Sequence, residues 1–243
     1  MATISEKNYR RIIAIGDLHG HLGPLEKLIE IISPNDRDLI IFIGDYIDRG
    51  PESKSVVNRM LEFKFYGKGF RFLRGNHEDM LLGNLGFKAV ISDIDTWLYN
   101  GGVATLRSYG MDYDEIEYCR VRSSAENYRV LSRYIPESHV KFFLETEMWI
   151  ESEKFFFCHG GVSPDKTIEE GKKNVFDLLW IREHIHRHNF PFWEKTVVCG
   201  HTPVKDVIIK DKLICVDTGL HYYGILSAVD VLSGEVYQVN MFR

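Results

Sequence analysis

Arg11-Ile12-Ile13-Ala14-Ile15-Gly16-Asp17-Leu18-His19-Gly20 is a short apolar run that ends abruptly in a carboxylate and an imidazole set between glycines. Four unbroken apolar residues after Arg11 suit a strand buried on both faces rather than a half-exposed one. The same construction returns twice. Leu39-Ile40-Ile41-Phe42-Ile43 runs into Gly44-Asp45-Tyr46-Ile47-Asp48-Arg49-Gly50, and Phe70-Arg71-Phe72-Leu73 is followed by Gly75-Asn76-His77-Glu78. Between these runs, Leu22 to Ile32 sets Leu25, Leu28, Ile29 and Ile32 on one helical face, and Ser53 to Phe63 does so with Val56, Val57, Met60 and Leu61. The first third is therefore β-α-β-α-β, which implies parallel strands joined by right-handed crossovers.

Further along the pattern changes. Phe155-Phe156-Phe157-Cys158, Thr196-Val197-Val198-Cys199, Val207-Ile208-Ile209, Leu213-Ile214-Cys215-Val216 and Ile225 to Val231 read as short strands, with Asp211-Lys212 and Ser233-Gly234 as hairpin turns. A second, more antiparallel sheet is the expectation. Residues 90–145 are polar and aromatic with weak strand signal, and read as a mainly helical insertion able to roof a site. The chain shows no internal repeat and reads as one domain over 1–243.

Composition narrows the function. At 243 residues with 44% hydrophobic and 27% charged content, the chain can bury a full core. A net charge of −5 provides no basic field for a nucleic-acid backbone. No apolar run is long enough to span a bilayer, and Met1 to Lys7 carries no apolar leader, so a cytoplasmic location away from membranes is expected. The four cysteines, Cys119, Cys158, Cys199 and Cys215, lack the spacing of a zinc knuckle or dithiol, and the last three sit in apolar runs as small core residues.

The chemistry sits at the strand ends. His159-Gly160-Gly161 follows the phenylalanine-rich run and Gly200-His201-Thr202 the next, so five runs deliver an acid, amide or imidazole beside glycine. Ligands bind outside the carboxyl ends of strands in open α/β sheets, and glycine lets such loops turn sharply and converge. A single Asp or His there is usually a turn former. Five in order are not explained that way. Asp17 and His19, two residues apart, can grip one ion; Asp45 can bridge with its two oxygens; Asn76, His159 and His201 can complete a second. Oxygen with imidazole and no thiolate suits Mn, with Fe and Zn as alternatives, better than Ca or a structural zinc. Two such ions stand about 3.5–4 Å apart and activate a water between them.

The series G-D-x-H-G, G-D-x-x-D-R-G, G-N-H-E, H-G-G and G-H-T resembles the phosphoprotein phosphatase family of the calcineurin-like metallophosphoesterases. Its span, from Asp17 to His201, covers most of the chain. The resemblance implies a mixed α/β (α+β) fold, a β-sandwich of two mixed sheets flanked by helices. It implies a first metal on Asp17, His19 and Asp45, and a second on Asp45, Asn76, His159 and His201. It further implies a metal-bridging hydroxide as nucleophile, His77 as general acid oriented by Asp48, and Arg49 as a phosphate-gripping fork. Leu178-Leu179-Trp180-Ile181-Arg182 and Trp97-Leu98-Tyr99-Asn100-Gly101-Gly102 resemble segments of the bacterial and phage serine/threonine phosphatase branch, which implies Arg182 as a second phosphate ligand.

The other polar residues carry smaller expectations. Arg74 is read as making an ion pair behind the site and Glu78 as supporting its turn. His21 is read as a helix cap, His139 as a surface residue, and His184, His186 and His188 as a solvated edge. His221, on the same side of the sheet, is left out of the site. Asp48 and Glu78 together favour a phosphoserine or phosphothreonine, and also a phosphotyrosine, protein phosphatase. The alternatives are a dinucleoside polyphosphate hydrolase of diadenosine tetraphosphate type and a catalytically silent metal-binding scaffold.

Overall fold

The computed structural model describes residues 3–67, 69–122 and 124–242. Met1, Ala2, Lys68, Ser123 and Arg243 lie outside this description, so the first two residues of the expected leaderless N-terminus and Ser123 of the expected insertion are not covered. The opening β-α-β-α-β unit is present as β1 (Arg11–Ile15), α1 (Leu22–Ile32), β2 (Asp38–Phe42), α2 (Ser53–Tyr66) and β3 (Phe70–Phe72), and β1 pairs parallel with β2 and β2 with β3. The chain then forms α3 (Asn76–Asn84), α4 (Ile94–Trp97), a wider π-type turn over Leu98–Gly102, α5 (Val103–Ser108), α6 (Tyr113–Arg120), α7 (Ser124–Leu131) and α8 (Glu137–Leu144). The remainder is β4 (Trp149–Glu151), β5 (Phe155–Cys158), α9 (Ile168–Gly171), α10 (Val175–Trp180), β6 (Thr196–Cys199), β7 (Ile208–Lys210), β8 (Leu213–Cys215), α11 (Leu220–Tyr223), β9 (Ile225–Asp230) and β10 (Val236–Asn240).

The strands form two five-stranded mixed sheets, ordered β10-β9-β1-β2-β3 and β4-β5-β6-β8-β7. Alternate residues explain the unbroken apolar runs. Ile12 and Ala14 of β1, Leu39 and Ile41 of β2, and Phe155 and Phe157 of β5 share the core between the sheets. Their neighbours Ile13, Ile15, Ile40 and Phe42 pack outward on Leu25, Leu28, Val57 and Met60 of the helices. Phe156, Cys158, Cys199 and Cys215 pack on the far face against Leu178, Ile185 and Trp193. Both faces are covered, so neither reads as polar, and all four cysteines are buried and reduced.

Two expectations change. Ile225–Asp230 does not join the second sheet; it pairs antiparallel with β1, Ile13 opposite Asp230, and brings β10 with it. The second sheet then has two parallel and two antiparallel pairings instead of an antiparallel majority. Strand alternation fixes which face a residue takes but not which edge the strand finds. Among the described residues no helix is long and apolar enough to cross a membrane.

Candidate active site and metal centre

The loops after β1, β2, β3, β5 and β6 converge at one end of the sandwich, and hydrogen bonds lock them together before any ligand is considered. The N–H groups of Leu18 and His19 donate to the Asp45 carbonyl at 3.0 and 2.9 Å. The Glu78 carboxylate accepts from the backbone N–H of Asp45, Tyr46, Ile47 and Gly75 at 2.9, 2.8, 3.3 and 2.9 Å. Glu78 thus supports the turn, as the sequence suggests. Gly75 is required by proximity, since a Cβ there would lie 2.0 Å from Asp45 Oδ1. The cost of convergence shows in the backbone. Of the seven described non-glycine residues with positive φ, five are His19, Asp45, Asp48, Arg49 and His201. Such strain is of order 1–3 kcal/mol per residue and is held by the surrounding structure.

Asp45 is the centre of the constellation. Its Oδ1 lies 3.3 Å from His159 Nε2, while Oδ2 lies 3.6 Å from His19 Nε2 and 3.7 Å from His77 Nε2. Donor atoms of His19, Asp45 and His77 lie within 4.8 Å of one another, and so do those of Asp45, His159 and His201. Backbone carbonyls orient the imidazoles: His19 Nδ1 donates to Ile47 O at 3.0 Å, His159 Nδ1 to Ile43 O at 2.9 Å, and His201 Nε2 to Trp180 O at 3.2 Å. For His19 and His201 the contact leaves the other ring nitrogen as a lone-pair donor, the usual arrangement around a metal ligand. Burial lowers the His159 pKa, but Asp45 beside its Nε2 outweighs it and pushes the pKa up to about 9. Asn76 Oδ1 lies 2.9 Å from His159 Nε2, and Asp17 accepts from the His201 N–H at 3.2 Å.

The donor set fits divalent cations. Asp17, Asp45 and Asp217 are all buried and lie close enough to feel one another's charge. Burial, and the mutual repulsion of Asp17 and Asp217, push the Asp17 carboxyl well above its ordinary range, and burial pushes Asp217 up to about 6. Burial also opposes the Asp45 carboxylate, but His159, His77 and His19 around it hold its pKa well below normal. A group of buried acids and imidazoles without thiolates is the chemistry of a hard-to-borderline cation site.

The second half of the site faces the first across Arg49. His77 Nδ1 lies 2.7 Å from Asp48 Oδ2. Asp48 is in turn held by Trp97 Nε1 at 2.9 Å and Thr105 Oγ1 at 2.6 Å, both from the helical segment. Arg49 donates through Nη1 to His19 Nε2 at 2.5 Å and through Nη2 to His77 Nε2 at 3.1 Å, which places its fork at the mouth of the metal pocket. Gly101, at φ +109, lets the helical segment press on this arginine: a Cβ there would lie 2.7 Å from Arg49 N. Arg182 is exposed just beyond α10, close enough for its charge to depress the His201 pKa after burial and the His159 charge.

Several expectations need correction. Among the described residues Arg74 has no ion-pair partner; it donates to Thr146 Oγ1 and to the carbonyls of Phe143 and Leu144, closing the C-terminal end of α8. His139 is buried, between Tyr109 OH at 2.7 Å and Asn58 Oδ1 at 3.0 Å. His184 is buried as well, with Nε2 3.4 Å from Cys199 Sγ, while His186 and His188 are exposed. His21 occupies the N-cap position of α1 without a side-chain capping bond and stacks on His221 with ring centroids 5.8 Å apart. His221 lines a cleft beside Arg49. Asp217, Trp97 and Thr105 are participants that the sequence reading did not assign. Asp217 carried the available signal, because Val216-Asp217-Thr218-Gly219 repeats the strand-acid-glycine construction.

A two-sheet sandwich whose loops gather buried acids and oriented imidazoles around one carboxylate defines a metal-binding hydrolase of phosphate esters. The model of the calcineurin-like phosphoesterase family matches residues 10–234, and the chain belongs to that family. A relative from Bacillus thuringiensis (strain Al Hakam), named an asymmetrical bis(5'-nucleosyl)-tetraphosphatase, is 24% identical over 237 residues, covering 88% of each chain. A solved structure of a candidate diadenosine tetraphosphatase superposes with a TM-score of 0.65 at 20% identity, over 98% of this chain and 96% of that one. A serine/threonine phosphatase from Saccharomyces cerevisiae superposes with a TM-score of 0.56 at 14% identity, over 98% and 82%. The sequence expectation placed protein phosphatase first; the curated relative bears the other name.

Proposed function

We propose that this protein hydrolyses nucleoside-bearing polyphosphates, cutting a diadenosine-tetraphosphate-type substrate to unequal products. The juxtaposition of the His77–Asp48 pair with the Arg49 fork, next to the Asp45 clusters, carries the hydrolytic reading. The Bacillus relative's name, over most of both chains, supports the substrate class. The intact Asp48–His77 pair favours a second reading, a phosphoserine, phosphothreonine or phosphotyrosine protein phosphatase.

Asp17, His19 and Asp45 would hold one divalent ion and Asp45, Asn76, His159 and His201 another, with Mn the best match to the donors. When bound, such a pair supplies an activated water and charge for the phosphoryl oxygens. The protein's own groups do the rest. Arg49 and Arg182 hold non-bridging phosphate oxygens, Arg49 with a planar fork. With the Arg49 fork turned from the His77 ring to the phosphate, His77 gives a proton from Nε2 to the departing oxygen while Asp48, on Nδ1, stabilises the imidazolium that serves as acid. Trp97 and Thr105 keep Asp48 in place, and its burial keeps water from competing for Nδ1.

The test offers Mn-loaded protein diadenosine tetraphosphate, a phosphoserine peptide and a phosphotyrosine peptide side by side. The expected result is conversion of the dinucleotide to AMP and ATP with the highest kcat/KM of the three. A peptide turned over better by tenfold or more would install the protein-phosphatase reading instead. No turnover of any of them by metal-replete protein would remove the hydrolytic reading.

A further inference from the structure

Beyond the mouth of the metal pocket, Arg49 forms the floor of a cleft of about 470 Å³, lined also by Tyr99, Asn100, Gly101, His221 and Tyr222. The guanidinium carbon of Arg49 lies 5.3 Å from the centre of the Tyr222 ring. Tyr99 is 91% exposed and Tyr222 56%, so two large rings stand open to solvent beside the residue proposed to grip phosphate. His221 is backed by the His21 ring and is thereby held against the cleft. Asn100 donates its Nδ2 to Thr96 O at 2.8 Å, and this leaves its carboxamide oxygen as an acceptor. A second cleft, of about 490 Å³, lies across the Arg49–Gly101 wall and carries Arg107 and Tyr113, whose ring centre is 4.6 Å from the Arg107 guanidinium carbon.

We infer that the cleft walled by Tyr99 and Tyr222 is a nucleoside subsite, in which a base carried on the reacting phosphate stacks on a tyrosine face. The inference rests on the hydrolase reading above and assigns it specificity residues. Open aromatic faces bind bases without strong sequence preference, because every base has a π-face. The Asn100 amide oxygen, on a residue of the cleft lining, suits an exocyclic amine, which a phenyl ring lacks. A peptide would instead call for backbone partners along an extended groove, whereas this wall offers ring faces and one acceptor. The second cleft, sharing Arg49, gives the remainder of a two-ended polyphosphate a cation and a further aromatic ring on the opposite side.

Calorimetric titration of Mn-loaded protein with inorganic phosphate, AMP and phenyl phosphate separates the layers. In the parent protein AMP should bind about tenfold or more tighter than phosphate, the gain expected of one stacked base. Tyr222→Ala should collapse the AMP-to-phosphate ratio towards one, Tyr222→Phe should retain it, and Tyr99→Ala, at a fully open position, should lower it several-fold. Failure of phosphate itself to bind would remove the hydrolase reading and the subsite with it. Phosphate binding with no AMP preference, or a preference that survives both alanine variants, would overturn the subsite alone. Phenyl phosphate gaining as much as AMP, and losing it equally in Tyr222→Ala, would reassign the wall to aryl phosphates and overturn the nucleoside inference.

Discussion

The strand-end loops and the helical segment over 94–144 meet at Asp48 and are built on opposite principles. In the loops, side chains serve the backbone and the backbone is strained: Glu78 satisfies four N–H groups, and five functional residues sit at positive φ. In the helical segment positive φ falls on glycines, Gly101 and Gly110, and side chains serve one another. Leu98, Leu106, Tyr109, Met111, Ile116, Phe142 and Phe143 are buried in the core shared with α1 and α2. Trp97 and Thr105 reach the chemistry through Asp48, and the Gly101 carbonyl accepts from the Arg49 N–H at 3.2 Å. The difference teaches that the position of the reacting groups is set by turns, while the packed helices brace Asp48 and Arg49 through hydrogen bonds to Trp97, Thr105 and Gly101.

The largest effects should therefore fall in the loops. Chelation, or Asp45→Asn in the residue common to both donor clusters, should abolish turnover, and Mn should restore the chelated parent better than Mg because imidazole favours the softer ion. Full activity in protein shown by elemental analysis to be metal-free would end the two-metal proposal. Next, His77→Asn should slow turnover by about 10²–10⁴-fold on an alkyl phosphate ester, and by much less on p-nitrophenyl phosphate, whose leaving group departs unprotonated. Equal losses on both substrates would mean that His77 acts on metal or structure.

Arg49→Ala and Arg182→Ala should raise KM as well as lower kcat, because the oxygens they hold are charged in ground and transition states alike. Lysine should rescue position 49 only in part. An unchanged inhibition constant for phosphate in Arg182→Ala would remove that exposed residue from the site. Across the boundary, Thr105→Val should cost about tenfold in kcat, equivalent to about 1.4 kcal/mol, through a loosened Asp48. Phe142→Ala should destabilise the fold by about 3–5 kcal/mol while the folded fraction keeps its kcat. If Phe142→Ala lowered kcat as much as Thr105→Val, the division between the two regions would fail.

The smallest effect concerns pH. Burial, with a further push from Lys54, holds the His139 pKa down at about 4. Unfolded His139 binds a proton near its ordinary pKa of about 6.5, so between those values the unfolded state carries more protons and stability rises with pH. The contribution is complete above about 6.5 and is lost as pH falls towards 4. His139→Gln should flatten that part of the melting-temperature profile, measured against the parent at matched metal content. A parallel profile would place the titration elsewhere.

These contrasts also explain what could be read in advance. The convergence of Asp17, His19, Asp45, Asn76, His159 and His201 at one end of the sandwich was legible because each follows an apolar run beside glycine, a local pattern that survives without knowledge of the fold. Both long early helices were legible from their spacing, α1 to the residue. His139 and His184 were misjudged because their neighbours in sequence are polar while their neighbours in space, Tyr109 and Cys199, come from other elements. β9 went to the wrong sheet for the same reason: its partner β1 lies more than two hundred residues away. Trp97 and Thr105 look like ordinary helix residues, and only the fold brings them to Asp48.

The carboxylate of Glu78 has a mechanical consequence. It bolts the loop carrying Asp45 to the turn that begins with Gly75, Asn76 and His77, so these residues travel as a single rigid piece. A side chain that belongs to neither donor cluster thus joins the two loops, and shortening it by one methylene, Glu78→Asp, is expected to shift Asp45 against Asn76 while leaving every candidate ligand in the chain.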